Sequence, residues 1–371
     1  MPLYKLNKKK DGLQCYKVVI SFTQNGEHLQ TSRTVYGLAE ARAAEAELLA
    51  QVKNPQSSRM TVSDLLQRYL LALKPDVKEN TLRTYEAKFR MFVYPFIGSE
   101  RLDRLNIQKL EQWKAQIMET DYSPATKRSA FRAFSAVLNY AVRAEILESN
   151  PLKKLKAPKV SSLDSELHYY TAEQFQQYIS VALDQAQSSG DFRFFVFACV
   201  AFYTGMRKGE INALKWSDIT DNIIHVRRSI EQHINGKDIE GTPKTESSIR
   251  DIQIPAPLMQ VLQEHRRRQE QSPAFSEEFR VCGGQNIIND NTIAKRHQKI
   301  IQLAGLPSIT IHDFRHSHAS LLINEGISIQ EIARRLGHKD VQTTWQIYAH
   351  LYPREEERAV SILNRVKINQ E

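Results

Sequence analysis

Cysteine is scarce in this sequence of 371 residues, and its three cysteines, Cys15, Cys199 and Cys282, lie far apart. No CxxC pair occurs, so the sequence offers neither a disulfide framework nor a cysteine zinc site, and a reducing compartment is expected. Long apolar runs are missing as well, because the most hydrophobic stretch, 194–203, is about half the length that spans a bilayer. The amino terminus has no signal-peptide pattern. We therefore expect a cytoplasmic protein without a membrane segment.

Several common catalytic motifs are also absent. The sequence contains no GxxxxGK[ST] phosphate loop, no GxGxxG fingerprint and no GxSxG nucleophile motif, so ATP hydrolysis and dinucleotide chemistry have no support. His312, His316 and His318 include a pair at i and i+4 spacing. They lack the glutamate of HExxH and an evident third ligand, which makes zinc a poor interpretation. We expect neither a metal nor a cofactor.

Positive charge is present in excess, and it is unevenly distributed. The 51 basic and 42 acidic residues divide into 8 and 5 in residues 1–55, 19 and 12 in 56–165, and 24 and 25 in 166–371. A surface that binds phosphates irrespective of sequence needs such an excess, because each neutralised phosphate releases condensed counterions. A solvated basic face that keeps the protein soluble explains the same numbers equally well. Charge therefore suggests a nucleic-acid partner without establishing one.

Residues 1–55 predict a small ββ(β)α unit. A β-branched and aromatic strand at 16–23 is followed by the turn-forming pair Asn25-Gly26, a return strand at 29–35 and an alanine-rich helix at 38–52. A polar linker around Pro55 ends the unit.

Residues 59–150 contain no convincing strand and predict four helices. Apolar residues recur at helical spacing, and Thr61 or Ser63 and Ser123 are suitable amino-terminal caps. The expected helices are 61–73, 80–94 (ended by Pro95 and Gly98), 107–118 and 124–146. Residues 151–165 are rich in lysine and predict an extended basic linker.

Residues 166–371 predict a mainly helical domain with a small antiparallel sheet. The expected helices are 171–186, 191–204, 207–214, 255–270, 291–304, 313–325, 328–336 and 341–350. The expected strands are 223–230, 248–254 and 279–281. The whole chain is therefore expected to be multidomain and mainly α, with small β-sheets.

Residues able to carry chemistry stand at the ends of these predicted elements. Lys244 lies in a turn between two strands, and His312 and Arg315 share one face of a helix. Gly337 frees the chain at a helix end before His338. Six such residues follow in this order: Arg207, Lys244, His312, Arg315, His338 and Tyr348.

This ordered set resembles the tyrosine recombinase (integrase) family at every signature position, namely Arg, Lys, His-x-x-Arg, His or Trp, and Tyr. Each residue alone has an ordinary interpretation, such as a surface arginine, a turn lysine or a tyrosine packed beside Trp345. Their joint occurrence in this order favours the family. The resemblance implies an arm-type DNA-binding domain at 1–55, a SAM-like core-binding domain at 59–150 and a mixed α+β catalytic domain at 166–371.

The resemblance also implies roles for these residues. Tyr348 would attack the scissile phosphate and keep the bond energy as a 3′-phosphotyrosyl ester, so that ATP is not needed. Arg207 and Arg315 would hold the phosphate with charge-assisted hydrogen bonds. Lys244 would protonate the departing 5′-oxygen.

The remaining site residues support these groups. His312 would accept or relay the tyrosine proton, His338 would hydrogen-bond the phosphate, and Glu210 would support the site. For His316, His318 and His350 we expect capping or core hydrogen bonding instead.

The implied function is integration and excision of a prophage or another mobile element through a Holliday junction. The expected partners are double-stranded DNA attachment sites and three further copies of the chain, in a homotetramer. Participation of an excisionase and of a DNA-bending protein stays open. Two alternatives also stay open: type IB topoisomerase-like strand relaxation, and a non-catalytic DNA-binding architectural protein.

Basic residues outside the signature are candidates for DNA contacts. They are Lys8, Lys9, Lys10, Lys17, Arg33, Lys127, Arg128, Arg132, Lys153, Lys154 and Lys156. After Tyr348, a short helix at 354–363 and a tail at 366–368 are expected to dock on a neighbouring copy.

Overall fold

The computed structural model describes residues 3–10, 12–24, 27–53, 60–159, 167–234, 237–241 and 248–351, together with Val360 and Leu363. It divides into two compact units, 1–165 and 166–371. Within the described ranges, no helix combines the length and the hydrophobicity needed to cross a bilayer.

Some predictions concern residues outside the described ranges. These are the Asn25-Gly26 turn, the linker around Pro55, the Lys244 turn, most of the 354–363 helix and the 366–368 tail.

Three antiparallel strands open the first unit: β1 (Leu3–Lys10), β2 (Leu13–Gln24) and β3 (Glu27–Tyr36), in the order β1-β2-β3. Helix α1 (Leu38–Lys53) covers one face of this sheet. Val18 and Ile20 of β2 are two residues apart and so lie on the same face, where they pack against Ala44 and Leu48. The third strand that the sequence suggested is confirmed.

A helical bundle follows. Its helices are α2 (Val62–Leu73), α3 (Glu79–Phe92), α4 (Tyr94–Ile97), α5 (Ile107–Glu119) and α6 (Pro124–Arg143). Leu65, Phe89, Trp113 and Phe134 are among its fully buried side chains.

Local sequence explains where these helices begin. Thr61 and Asp64 form a reciprocal capping box at α2, and Ser123 caps α6 just before Pro124. Two predicted helix ends were wrong. Pro95 is the second residue of α4, where its missing N–H costs nothing, and α6 stops before Glu145, whose φ is +56°.

The basic segment after α6 was predicted to be extended from residue 151, but its first four residues are not extended. Pro151–Lys154 forms a 3-10 turn, because the Asn150 side chain accepts a hydrogen bond from the Leu152 N–H at 2.9 Å. Leu152 is buried in the core of the bundle. Extended backbone begins only at Leu155.

The second unit contains eight α-helices, two 3-10 turns and five strands among its described residues. The helices of at least six residues are α7 (Ala172–Ser189), α8 (Arg193–Thr204), α9 (Lys208–Ala213), α10 (Ala256–Glu270), α11 (Asp290–Ala304), α12 (Asp313–Asn324), α13 (Ile329–Leu336) and α14 (Val341–Tyr348). One 3-10 turn is Trp216–Asp218, and the other, Ala349–Leu351, follows α14 directly. The strands are β4 (Ile219–Thr220), β5 (Ile223–Val226), β6 (Ser229–Ile234), β7 (Lys237–Gly241) and β8 (Arg250–Gln253).

Two strand predictions were wrong in this unit. The single strand expected at 223–230 is two strands: β5 pairs with β4 and β8, whereas β6 pairs with β7 in a separate two-stranded sheet. Residues 279–281 contribute isolated bridges of Arg280 rather than a strand.

The apolar helix α8 lies at the centre of this unit. The consecutive residues Val196, Phe197, Ala198 and Cys199 are all buried, so every side of the helix is covered, since α7, α10 and α12 all pack around it. The carboxyl end of α8 therefore lies inside the unit, next to α12 and α13.

Candidate active site

The carboxyl end of α8 positions the first arginine. Gly205 ends the helix with φ +64°, and a Cβ there would lie 2.8 Å from His318 Cδ2 and 2.9 Å from Leu336 Cδ2. Only glycine permits this close approach of α8 to α12 and α13. Two residues later, Arg207 caps α9, and its Nη2 donates to the Gly337 carbonyl oxygen at 3.3 Å. Arg207 is thereby held at the end of α13.

Arg315, on α12, is buried and hydrogen-bonds to the carboxyl ends of both α8 and α13. It is 3% exposed, and its Nη1 and Nη2 donate to the carbonyl oxygens of Gly205 and Leu336, each at 2.7 Å. Burial and the neighbouring Arg207 lower the pKa of Arg315 to about 9. The positive charge here is incompletely compensated, and such a site favours an incoming anion.

A third arginine, Arg250, was not singled out from the sequence. Its Nη2 and Nη1 donate to the Glu210 carboxylate at 2.9 and 3.2 Å, and its Nε donates to the Arg335 carbonyl oxygen at 2.7 Å. On β8, the side chains of Arg250 and Ile252 are buried on one face of the strand, whereas Asp251 between them is exposed on the other. A charged residue in the buried phase of a strand was the signal that could have revealed it.

Glu210 is shared by two arginines. It is 2% exposed, and its oxygens accept from the Arg207 backbone N–H and Nη1 at 2.9 Å as well as from Arg250. Burial by itself would raise the pKa of Glu210, but the charges and hydrogen bonds of Arg250 and Arg207 outweigh it and hold the pKa below its usual range. This carboxylate fixes Arg207 in place.

Tyr348, the last residue of α14, has its hydroxyl buried against α12. The side chain is 1% exposed, and its Oη lies 2.7 Å from His316 Nδ1. Burial raises the pKa of Tyr348 well above its usual value, and the positive charge of Arg315 partly opposes this. The phenol is therefore neutral and hydrogen-bonded in this structure.

Three histidines surround these groups. The rings of His312 and His316 meet edge to face, with centroids 5.1 Å apart. Burial, followed by Arg315, lowers the pKa of His312 and lowers that of His338 to about 4. His338 Nδ1 lies 2.7 Å from Thr344 Oγ1, which leaves Nε2 to contact a ligand.

The structure places five of the six predicted catalytic residues, and the supporting Glu210, around the ends of α8, α12, α13 and α14. Those five are Arg207, His312, Arg315, His338 and Tyr348; Lys244 lies outside the described residues. Their chemical roles stay predictions.

The other histidines differ from one another. His318 makes the core contacts expected of it, from Nδ1 to the Phe202 carbonyl oxygen at 2.7 Å and from Nε2 to Arg335 Nε at 3.0 Å. His350 is exposed. His316, for which the same ordinary role was expected, instead contacts the hydroxyl of Tyr348. The helical spacing of His312 and His316 was visible in the sequence, but the partner on α14 was not.

No group of three or more His, Cys, Asp or Glu side chains within the described ranges is arranged to hold a metal ion.

Most of the predicted DNA-contact residues are solvent-exposed. They are Lys8, Lys9, Lys10, Lys17, Arg33, Arg132, Lys153, Lys154 and Lys156, and Arg128 is half-buried.

Two of these predictions need correction. Lys127 is 8% exposed and its Nζ donates to the Met118 carbonyl oxygen at 2.8 Å, so it holds α6 to α5 instead of facing a ligand. Arg33 pairs in register with Val18, on the face covered by α1, and its Nη1 lies 2.6 Å from Glu47 Oε2. Arg33 is therefore on the face opposite to Lys17.

Comparison with known proteins agrees with this fold. The phage integrase family model matches residues 169–355, and a model of the phage integrase N-terminal SAM-like domain matches residues 61–118. The ICEBs1 integrase of Bacillus subtilis (strain 168) is 27% identical over 363 residues, which cover 94% of this chain and 96% of that protein. A protein named Tyrosine recombinase XerC-like, from Caldanaerobacter subterraneus subsp. tengcongensis, is 26% identical over 396 residues, covering 97% of this chain and 98% of that one.

Among solved structures, a lambda integrase tetramer bound to a Holliday junction has the same fold. The TM-score is 0.59 at 19% identity, and the match covers 91% of this chain and 96% of that one. Since the first family model spans just over half of the sequence, this chain belongs to the phage integrase family.

Proposed function

We propose that this protein is a site-specific DNA recombinase that integrates and excises a mobile element. Tyr348 Oη attacks the scissile phosphorus, a 3′-phosphotyrosyl bond forms, and the strand with a 5′-hydroxyl is released. The 5′-hydroxyl of the partner duplex then attacks this ester and frees the tyrosine. Two such exchanges, through a Holliday junction, recombine the two duplexes.

The observation that best supports this chemistry is a pair of arginines held by main-chain oxygens. Arg207 donates to the Gly337 carbonyl oxygen, and Arg315 donates to those of Gly205 and Leu336. The charge of Arg315 also acts on Tyr348. Arg315 is buried with too little negative charge around it, as its lowered pKa reflects. A phosphodiester would compensate this charge, and the effect grows as negative charge accumulates on the non-bridging oxygens in the transition state. Two planar guanidinium groups supply directional donors for those oxygens.

The other groups complete the reaction. His338 donates to the phosphate from Nε2, since its Nδ1 already has Thr344 as partner. Lys244 protonates the departing 5′-oxygen, which is a poor leaving group as an alkoxide. No step requires a metal or ATP.

The remaining parts of the chain bind DNA. In this proposal residues 1–55 bind arm-type sites, residues 59–150 and the basic segment 151–165 bind the core site, and residues 166–371 cut it. Four copies assemble on two attachment sites. The structure of a lambda integrase tetramer on a Holliday junction supports this part of the proposal. The kinship to an ICEBs1 integrase supports an integrated element as substrate. A reaction on chromosomal DNA would take place in the cytoplasm.

A suicide substrate tests the proposal. The duplex would contain the direct repeat that bounds the integrated element and a nick next to the crossover, so that the cleaved fragment diffuses away and traps the ester. We expect a protein–DNA adduct that survives denaturant with the native chain and none with Tyr348→Phe, which should still bind DNA. An adduct formed by Tyr348→Phe would refute the assignment of the nucleophile.

The same substrate separates the alternative functions. Absence of any adduct with the native chain would indicate a pure DNA-binding protein. An adduct that relaxes supercoils but never joins two duplexes would indicate a topoisomerase.

A further inference from the structure

The hydroxyl of Tyr348 has a specific protein partner. Its Oη lies 2.7 Å from His316 Nδ1, although the two residues are 32 positions apart in the sequence. The rings are tilted by 58°, with centroids 5.6 Å apart. The contact is a directed hydrogen bond between α12 and α14.

The groups that face His316 define its protonation state. His312 packs edge to face on one side, Asp313 Oδ1 is 4.0 Å from His316 Nε2, and Arg315 adds a positive charge from the same helix. Burial first, then His312 and Arg315, lower the pKa of His316 to about 4, while Asp313 opposes them. At neutral pH the imidazole is uncharged, so Nδ1 accepts the phenolic hydrogen and Nε2–H points to the Asp313 side.

We propose that His316 is the general base for the attack by Tyr348. The phenolic proton moves to His316 Nδ1 as the Oη–phosphorus bond forms, and the bond from phosphorus to the 5′-oxygen breaks. The 5′-oxygen takes its proton from the general acid. Asp313 stabilises the imidazolium. In the joining step the conjugate base of the general acid takes the proton of the attacking 5′-hydroxyl, and His316 returns its proton to Tyr348 as the phosphotyrosyl bond breaks. This inference rests on the proposed function.

The assignment changes the role expected for His312. The resemblance to the family gave the tyrosine proton to His312, but the histidine that hydrogen-bonds the hydroxyl is His316. His312 contacts the ring of His316, and it lies immediately before Asp313 and one helical turn before Arg315. Because His316 takes the tyrosine proton, the role that remains for His312 in this proposal is to bind the phosphate.

A matched pair elsewhere in the unit provides the control. His297 Nδ1 lies 2.8 Å from Tyr178 Oη, both residues are buried, and His297 Nε2 lies 2.8 Å from the Ile309 carbonyl oxygen, so this hydrogen-bonded pair does not include Tyr348. Removing the base in either pair breaks a buried histidine–tyrosine hydrogen bond. Only the His316 pair should affect proton transfer.

The experiment measures the single-turnover rate of adduct formation on the suicide substrate from pH 5 to 9, where His316, with its pKa of about 4, is already deprotonated. His316→Asn keeps a hydrogen-bonding group near the position of Nδ1 but cannot take a proton, and His316→Gln repeats the test with a longer side chain. We expect each to react about 100-fold or more slowly at every pH in this range, because the native base is available throughout it and the amide cannot take the proton. His297→Asn should melt at lower temperature and, below that temperature, keep the native rate and pH profile.

Unchanged rates and pH profiles in folded His316→Asn and His316→Gln, while the native chain forms the adduct, would overturn this inference alone. If the native chain forms no adduct, the proposed function itself fails. A loss of rate in His297→Asn equal to that in His316→Asn would also overturn it, because general loosening of the unit would then explain both.

A second substrate separates the attacking side from the leaving side. A 5′-bridging phosphorothiolate loses a thiolate that needs no proton. It should restore Lys244→Ala but leave the ratio of native to His316→Asn rates unchanged. Restoration of His316→Asn by this substrate would place His316 on the leaving group and refute its role as base for Tyr348.

Discussion

The two units of this chain use positive charge in opposite ways. In residues 1–165, the basic side chains proposed to contact DNA are mostly exposed lysines, including Lys9 on β1 and Lys156 after the bundle. In residues 166–371, where acidic and basic residues nearly balance, Arg250 and Arg315 are buried and bonded to carbonyl or carboxylate oxygens. The net charge of a region therefore does not indicate where the site for a phosphate lies.

The physical reason is the difference between affinity and position. An exposed ammonium on a flexible chain attracts any phosphate through counterion release, with little geometric demand. A buried guanidinium held by main-chain oxygens loses hydration, but its remaining donors are fixed in direction before the substrate arrives. The first arrangement holds a duplex, and the second selects one phosphodiester in it.

Breaking the buried network should produce the largest effect. Arg250→Met removes one partner of the buried pair with Glu210 and leaves the carboxylate with Arg207 alone. We expect a loss of about 3–5 kcal/mol in the free energy of unfolding. Arg227→Met, which breaks an exposed pair with Asp251, should cost about 1 kcal/mol or less. Equal losses in urea denaturation would contradict the distinction.

The second-largest effect should be on catalysis, when the fixed guanidinium of Arg315 is replaced. Arg315→Lys keeps a positive charge but loses the planar group that bonds both Gly205 and Leu336. Adduct formation should fall about 100- to 1000-fold while affinity for DNA is retained. Arg334→Lys, an exposed arginine on α13 paired with Glu331, is the control and should react at the native rate. Native rates in Arg315→Lys would exclude it from the site.

Acid should destabilise the second unit through its buried histidines. Burial, then Arg335, lowers the pKa of His318 to about 3, whereas an unfolded histidine titrates near pH 6.5. Between about pH 6.5 and 3, His318 binds a proton in the unfolded chain but not in the folded one. Stability due to this group is therefore lost as the pH falls from about 6.5 toward 3, by about 1.4 kcal/mol per pH unit.

His318→Gln tests this dependence. The variant should reduce the slope of unfolding free energy against pH by close to one proton between about pH 6 and 4, whatever its stability at pH 7. An unchanged slope would show that His318 does not titrate in this way.

Exposed lysines should give the smallest effect. Replacing Lys8, Lys9 and Lys10 by Gln should lower the salt dependence of binding at arm-type sites, with a change of up to about 2.7 in the slope of log K against log[salt]. Cleavage of the isolated core site should continue at the native rate. Lys127→Met is the matched control, since this lysine is buried against Met118, and it should leave the slope unchanged. Identical footprints of the triple variant and the native chain would refute the arm-binding role of β1.

Local patterns were sufficient for most helices and for the order of the candidate site residues. The spacing of Leu65, Leu66 and Tyr69 and the cap at Thr61 depend on neighbours within one or two turns, so α2 was predictable nearly to the residue. Errors arose where the outcome depends on distant partners. The alternation from 223 to 230 does not reveal that β5 pairs with β8 while β6 pairs with β7.

Single side chains show the same division. The order from Arg207 to Tyr348 can be read along the chain, and the five of these residues that the structure describes lie in or beside the first or last turn of helices that local sequence specifies. Three contacts depend on how helices and strands pack: the burial of Lys127, the position of Arg33 on the α1 face of the sheet, and the hydrogen bond between Tyr348 and His316. Packing brings together residues such as Arg207 and Gly337, 130 positions apart, and burial there changes both hydrogen bonding and pKa. Only the tertiary structure decided those contacts, because the energies that fix them come from groups that are not neighbours in the sequence.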